Sequence, residues 1–195
     1  MASNETPSVL RLGDPRLRRV NRTVDVRDPR LPASRETLMT ALRTFQRQHG
    51  FGRGNAAPQI GFPLRFIACH TSHGALAGHG PVTLVNPRIA ARSEETFTLW
   101  DDCMSFPDLL VRVRRHRSID LTYFDEPGRP HEVPGLDPAT SELLQHEIDH
   151  LDGILALDRA LDTEALLWRG VYESNRTHFD ALVDGLPAPS EPAGD

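Results

Sequence analysis

The chain has 195 residues, the size of one ordinary domain that can bury a full core without help from a disulfide or a metal. Hydrophobic residues make up 38% and charged residues 25%, and no apolar run approaches the roughly 20 residues of a membrane span, so neither a disordered chain nor a membrane protein is expected. All 22 basic residues are arginine, which excludes Schiff-base and pyridoxal enzymes, the P-loop lysine and Ser-Lys nucleophiles, while the net charge of -5 argues against stable nucleic-acid binding.

Two cysteines, Cys69 and Cys103, cannot build a disulfide framework, and the first six residues have neither the basic nor the apolar part of a signal peptide. A cytoplasmic protein with reduced thiols is expected. Residues 1–33, with Gly13-Asp14-Pro15, Pro29 and Pro32, read as an irregular wrapping segment. Ser34 is a plausible N-cap for a first helix in which Leu38, Ala41, Leu42 and Phe45 recur at helical spacing up to Gly50. Residues 50–61, with four glycines, read as a loop feeding a strand at Leu64–His70. Further strands are predicted at Val82–Asn86, Thr96–Trp100, Leu109–Arg114 and Ser118–Phe124. Asp137-Pro138 opens a second helix that runs to about Leu151 and stops at Gly153. A third helix is predicted over Thr163–Asp184 with Gly185 as its cap, followed by a disordered tail over 187–195; residues 1–186 would form one catalytic domain.

The segment Gln145-His-Glu-Ile-Asp-His150 carries the chemistry. On a helix, His146 and His150 stand one turn apart on the same face and can bind one metal ion with Glu147 beside it. The alternative is two ordinary histidines on a surface helix. A catalytic site needs a third ligand and an open position. The metzincin position falls on Ala156, which has no ligand atom; Glu164 and Glu173 are candidates for a zinc peptidase, and Cys103, where the chain turns after an apolar strand, is the better one. Cys69, His70, His73 and His79 imitate ligand spacing but sit at a strand end leading into a glycine-rich turn.

Three segments in order, GRGNAAPQIG (52–61), DDCMS (101–105) and QHEIDHLDG (145–153), resemble the motifs GxGLAAPQ, EGCLS and QHExDH of the peptide deformylases, and Leu10-Arg-Leu-Gly-Asp-Pro15 with Leu17-Arg18 resembles the start of that family. The resemblance implies an α+β fold in which antiparallel β-sheets surround a central metal-binding helix, with an N-terminal and a C-terminal helix. It implies a metal held by Cys103, His146 and His150, proton transfer by Glu147, and stabilisation of the oxyanion by the Gln59 amide and the Met104 backbone N–H. Gly52 and Gly54 would let the loop approach the substrate, and Asp101 with Arg115 would shape the side-chain pocket. The implied cofactor is one divalent ion, Fe(II) in cells, with zinc, nickel or cobalt as substitutes. The implied substrate is the N-formyl-methionine terminus of a nascent chain, cleaved to formate. A run of Arg112, Arg114, Arg115, His116 and Arg117 reads first as a solvated basic face and second as a transient contact with the ribosome.

The sequence departs from these motifs at Asp101-Asp102 in place of Glu-Gly, at Asp108 in place of Gly, and at Asn55 and Met104 in place of Leu, while Glu142 stands where the family usually has an apolar pocket residue. Glu142 could equally point to solvent. The departures leave the ligands, Glu147 and Gln59 in place and open a second reading, a deformylase specialised for a small formamide. A third is a metal-binding, ribosome-associated protein without catalysis, which would have no use for Glu147 and Gln59.

Overall fold

The computed structural model describes residues 8–70 and 81–184. The expected tail at 187–195, the Gly185 cap, His73 and His79 lie outside them. Among the described residues the architecture is mixed α and β. A five-stranded antiparallel sheet has the order β1 (Gly54–Ala56), β2 (Phe66–Cys69), β3 (Val82–Arg92), β6 (Ile119–Phe124), β7 (Pro130–Val133), and a three-stranded antiparallel sheet has the order β4 (Thr96–Asp102), β5 (Leu109–His116), β8 (Leu166–Trp168). No helix among the described residues is long and apolar enough to cross a membrane.

Two helices sandwich the larger sheet. In α1 (Leu31–His49) the residues Leu38, Leu42 and Phe45 pack with Phe66, Ala68 and Val85. In α2 (Pro138–Leu151) the residues Leu143, Leu144, Ile148 and Leu151 pack with Ile67, Cys69, Leu84 and Leu121. Successive residues of β2 thus point alternately to the two helices, which explains why all four of its residues are buried. Each fully buried leucine contributes roughly 1.5–3 kcal/mol.

Both ends of α2 are closed by specific partners. Asp137 caps the start as its sequence predicts, its side chain accepting from the N–H groups of Ala139 and Thr140 at 3.1 and 3.0 Å, and Pro138 occupies the first turn. At the other end the N-terminal segment crosses the helix terminus. The Asn21 backbone N–H donates to the Leu151 carbonyl at 2.9 Å, and Asn21 Nδ2 donates to the carbonyls of His150 and Leu151 at 3.3 and 3.1 Å, satisfying acceptors that a helix end leaves open. Gly153 follows at φ +74°, and a Cβ there would stand 2.6 Å from the Arg18 carbonyl oxygen.

Several boundaries differ from the sequence reading. The first helix begins at Leu31, because Pro32 fits its first turn; Ser34 lies inside, its hydroxyl donating to the Arg30 carbonyl at 3.0 Å. The presumed loop at 50–61 contains β1, paired with β2, before a 3-10 turn at Ala57–Ile60. Strand β7 arises in a short polar segment with no alternation to reveal it. The single helix expected at Thr163–Asp184 is instead β8, α3 (Arg169–Ser174) and α4 (Arg176–Asp180). Pairing of Leu166–Trp168 with Leu109–Val111 overrides helical propensity there, and Asn175, at φ -139° and ψ 33°, breaks the remainder.

Gly153→Ala should therefore destabilise more than Gly135→Ala, whose φ of +62° carries similar strain but whose Cβ would meet nothing within 4 Å. The difference in denaturant unfolding should be on the order of 2 kcal/mol; equal losses would show that the contact with the N-terminal segment carries no energy. Asn55 in β1 is fully buried, and neither side-chain oxygen nor nitrogen has a partner. Asn55→Leu should raise the unfolding free energy by about 1–3 kcal/mol, and a lower thermal midpoint than wild type would contradict this.

Candidate active site

The site forms where α2 meets the turn after β4 and the turn after β1. Leu143, Leu144, Ile148 and Leu151 anchor α2 in the core, and the side chain of Gln145 fixes it to the end of β5, accepting from the His116 N–H at 3.0 Å and donating to the His116 carbonyl at 2.9 Å. These contacts set the rotation of the helix, so that His146 and His150, one turn apart, both face Cys103. Cys103 follows β4 in a turn closed by the Phe106 N–H on the Cys103 carbonyl at 3.1 Å.

Three donor atoms converge. Cys103 Sγ lies 3.3 Å from His150 Nε2, and His150 Nε2 lies 3.1 Å from His146 Nε2. All three residues are buried, and their ligand atoms lie within 4.8 Å of one another. A thiol sulfur and two imidazole nitrogens suit a divalent transition ion and leave a fourth position open. Glu164 and Glu173, the alternative third ligands, are exposed and outside this group.

Asp101 sets the orientation of His146. Its Oδ1 lies 2.9 Å from His146 Nδ1, and its Oδ2 accepts from Arg115 Nη2 at 2.9 Å, which turns His146 Nε2 toward Cys103. Burial alone would raise the Asp101 pKa, but His146 and Arg115 beside it hold it well below the ordinary carboxylate range. Arg115 donates in turn to Asp149 at 2.5 Å, and Asp149 accepts from Arg159 Nη2 at 2.7 Å. Neither Asp149 nor Asp152, which pairs with Arg65, is the acceptor on either imidazole. Of the two residues expected to shape the side-chain pocket, Asp101 lines the cleft and Arg115 lies behind it.

The pairing of β4 with β5 explains the burial of Arg115. Phe97, Leu99 and Asp101 are opposite Arg115, Val113 and Val111, so Arg115 continues the inward row of two valines. The basic run is therefore no uniform solvated face. Arg112 pairs with Asp162 at 2.6 Å, Arg115 is buried, and Arg117 lies 3.4 Å from Glu95.

Glu147 sits over the backbone of β1. A Cβ on Gly54 would stand 2.7 Å from its Oε1, so the missing side chain there makes room for this carboxylate, whereas the sequence assigned that room to substrate. Its Oε2 is buried without a partner, and burial pushes the Glu147 pKa up to about 7. The Gln59 Oε1 accepts from the Ala56 N–H at 2.9 Å, while Nε2 lies 3.5 Å from Cys103 Sγ and 3.2 Å from Ser105 Oγ. The Ser105 N–H lies 3.4 Å from the same sulfur.

A narrow cleft opens onto these groups, lined by Gly52, Gly54, Gln59, Met104, His146 and Glu147 among others. Two side chains at its wall and mouth, Arg53 and Arg169, escaped the sequence reading. Arg53 forms an ion pair with Glu142 across the cleft wall; Glu142 is buried and does not point to solvent. Burial raises the Glu142 pKa, and Arg53 opposes the shift. Arg169 donates to Asp102 Oδ2 at 3.0 Å and lies 3.8 Å above the Phe51 ring. Arg53 was hidden inside a glycine motif and Arg169 inside a supposed helix; in each case only the long-range partner reveals a role.

Residues 7–165 match the family model for polypeptide deformylase. A peptide deformylase of Prochlorococcus marinus is 34% identical over 180 residues, which cover 92% of this chain and 85% of that protein. The crystal structure of the Thermotoga maritima peptide deformylase superposes with a TM-score of 0.70 at 31% identity, covering 81% of this chain and 99% of that one. A Synechococcus elongatus peptide deformylase, solved in complex with actinonin, gives 0.72 at 25% identity over 89% of this chain and 88% of that one. The fold, the three converging donor atoms beside Glu147 and these similarities identify the chain as a member of the peptide deformylase family.

Proposed function

We propose that the chain removes the N-formyl group from the formyl-methionine terminus of newly made polypeptides, with Cys103, His146 and His150 holding one divalent ion and Glu147 moving the protons. The observation that carries this reading is the convergence of Cys103 Sγ, His146 Nε2 and His150 Nε2 next to a buried carboxylate with a partnerless oxygen. A bound ion supplies Lewis acidity, acidifying water and polarising the formyl carbonyl. Resemblance to the family favours Fe(II) in cells, and the donor set also suits zinc, nickel and cobalt.

The protein groups divide the rest of the work. Asp101 keeps the Nδ1 side of His146 occupied, so that Nε2 is the ligating atom. Glu147, with its pKa raised to about 7 by burial, is poised to take a proton from water attacking the formyl carbon. The same proton then goes to the departing nitrogen, the C–N bond breaks, and formate and a free amine result. Gln59 is held by its Oε1, which leaves its amide hydrogens directed at Cys103 Sγ and Ser105 Oγ. A formyl oxygen entering the cleft exchanges one of these contacts for its own and meets the Met104 N–H as charge develops. Loss of one such donor typically lowers kcat by roughly 10²–10³.

Cys103→Ala should lose stoichiometric metal on elemental analysis while Glu164→Ala keeps it; the reverse result would favour a peptidase-type ligand set. Glu147→Gln should keep its metal and lose about 10²–10⁴ in kcat for formate release from a formyl-Met tripeptide. Full turnover by that variant would refute its role in proton transfer. Gly54→Ala, which pushes a methyl group into Glu147, should lower kcat with metal content unchanged.

A further inference from the structure

The cleft that leads to Glu147 is walled by opposite charges. Arg53, between Gly52 and Gly54, reaches across to Glu142, one turn before His146 on α2, and its Nη1 donates to the Ala139 carbonyl at 3.2 Å. The Glu142 side chain is 5% exposed and that of Arg53 21%; both line the cleft. Charges this far from water regain their lost hydration only when their remaining donors and acceptors are served by polar neighbours.

A substrate whose formyl carbon lies beside Glu147 and Gln59 must run the rest of its chain along this cleft. The exposed part of Arg53 then loses its water. An alkyl or thioether end set against the pair returns nothing for that loss, whereas a carboxamide of equal length supplies both a donor and an acceptor. We propose that the Arg53–Glu142 pair widens the substrate range of this deformylase from formyl-methionine to N-formyl residues with uncharged polar side chains. The inference rests on the deformylase reading given above.

Glutamine has nearly the length of methionine and differs chiefly in polarity, so formyl-Gln-Ala-Ser and formyl-Met-Ala-Ser isolate the effect. Formate release is measured for both peptides with the metal-loaded enzyme. The expected kcat/KM for the glutamine peptide lies within about threefold of the methionine value, or above it. The double variant Arg53→Leu/Glu142→Leu removes both charges together and leaves no unpaired one; it should lower the Gln/Met ratio by more than about threefold. A wild-type enzyme more than about threefold slower on the glutamine peptide overturns the proposal, and so does a double variant whose ratio stays unchanged. If the metal-loaded wild type cleaves neither peptide, the deformylase reading falls and takes the inference with it, an outcome distinct from activity confined to methionine. The wild-type comparison needs no variant, so the test survives a double variant that fails to fold.

Discussion

The carboxylate of Asp101 links the two halves of the site. It stands between His146, a donor on α2, and Arg115, a side chain of the smaller sheet, and Arg115 is itself shared with Asp149 on the same helix. A buried charge without a partner would cost several kcal/mol, so none of these groups can move alone. The rotation of His146, the placing of α2 against β5 and the burial of an arginine in a row of valines follow from one electrostatic requirement. A shorter acid stands here than in the family motif, and it forms a salt bridge to Arg115 at 2.9 Å.

Much of this was legible in the sequence, and the misses share a cause. The α2 boundaries, its Asp137 cap and the inward face of α1 follow from local rules, and the structure agrees with them because the core rewards the same periodicity. The three converging donors could be named because two lie one helical turn apart and the third stands in a recognisable motif. The C-terminal segment was misread because Leu167, Val171 and Phe179 lie at helical spacing, whereas strand pairing with β5 decides its shape. The pairing of Glu142 with Arg53 was equally out of reach, because the two are 89 residues apart and nothing local couples one to the other. The carboxylate beside His146 comes from Asp101 on β4 and not from its own helix, a placement that only the long-range packing decides.

Three departures from the family pattern differ in how the structure receives them. Asn55, with both polar atoms unpartnered, has no compensation. Asp102 and Glu142 are compensated, paired with Arg169 and Arg53. Paired charges on a cleft wall keep the net field small while changing what can lie against the wall. The reacting centre and the surface that greets the substrate have thus diverged to different degrees, with the donors and Glu147 following the family pattern and the approach to them altered.

The closure of α2 by the N-terminal segment bears on how the enzyme is made. Asn21 meets the carbonyl of Leu151 across 130 residues of sequence, and Gly153 packs directly on Arg18. During synthesis the first partner emerges long before the second exists, so the early segment must wait while the strands of the larger sheet are made. Contacts of such sequence separation form late, because loop closure precedes their reward. An enzyme whose substrates are unfinished chains therefore closes the end of its own histidine-bearing helix only after a further 130 residues have followed the segment that closes it.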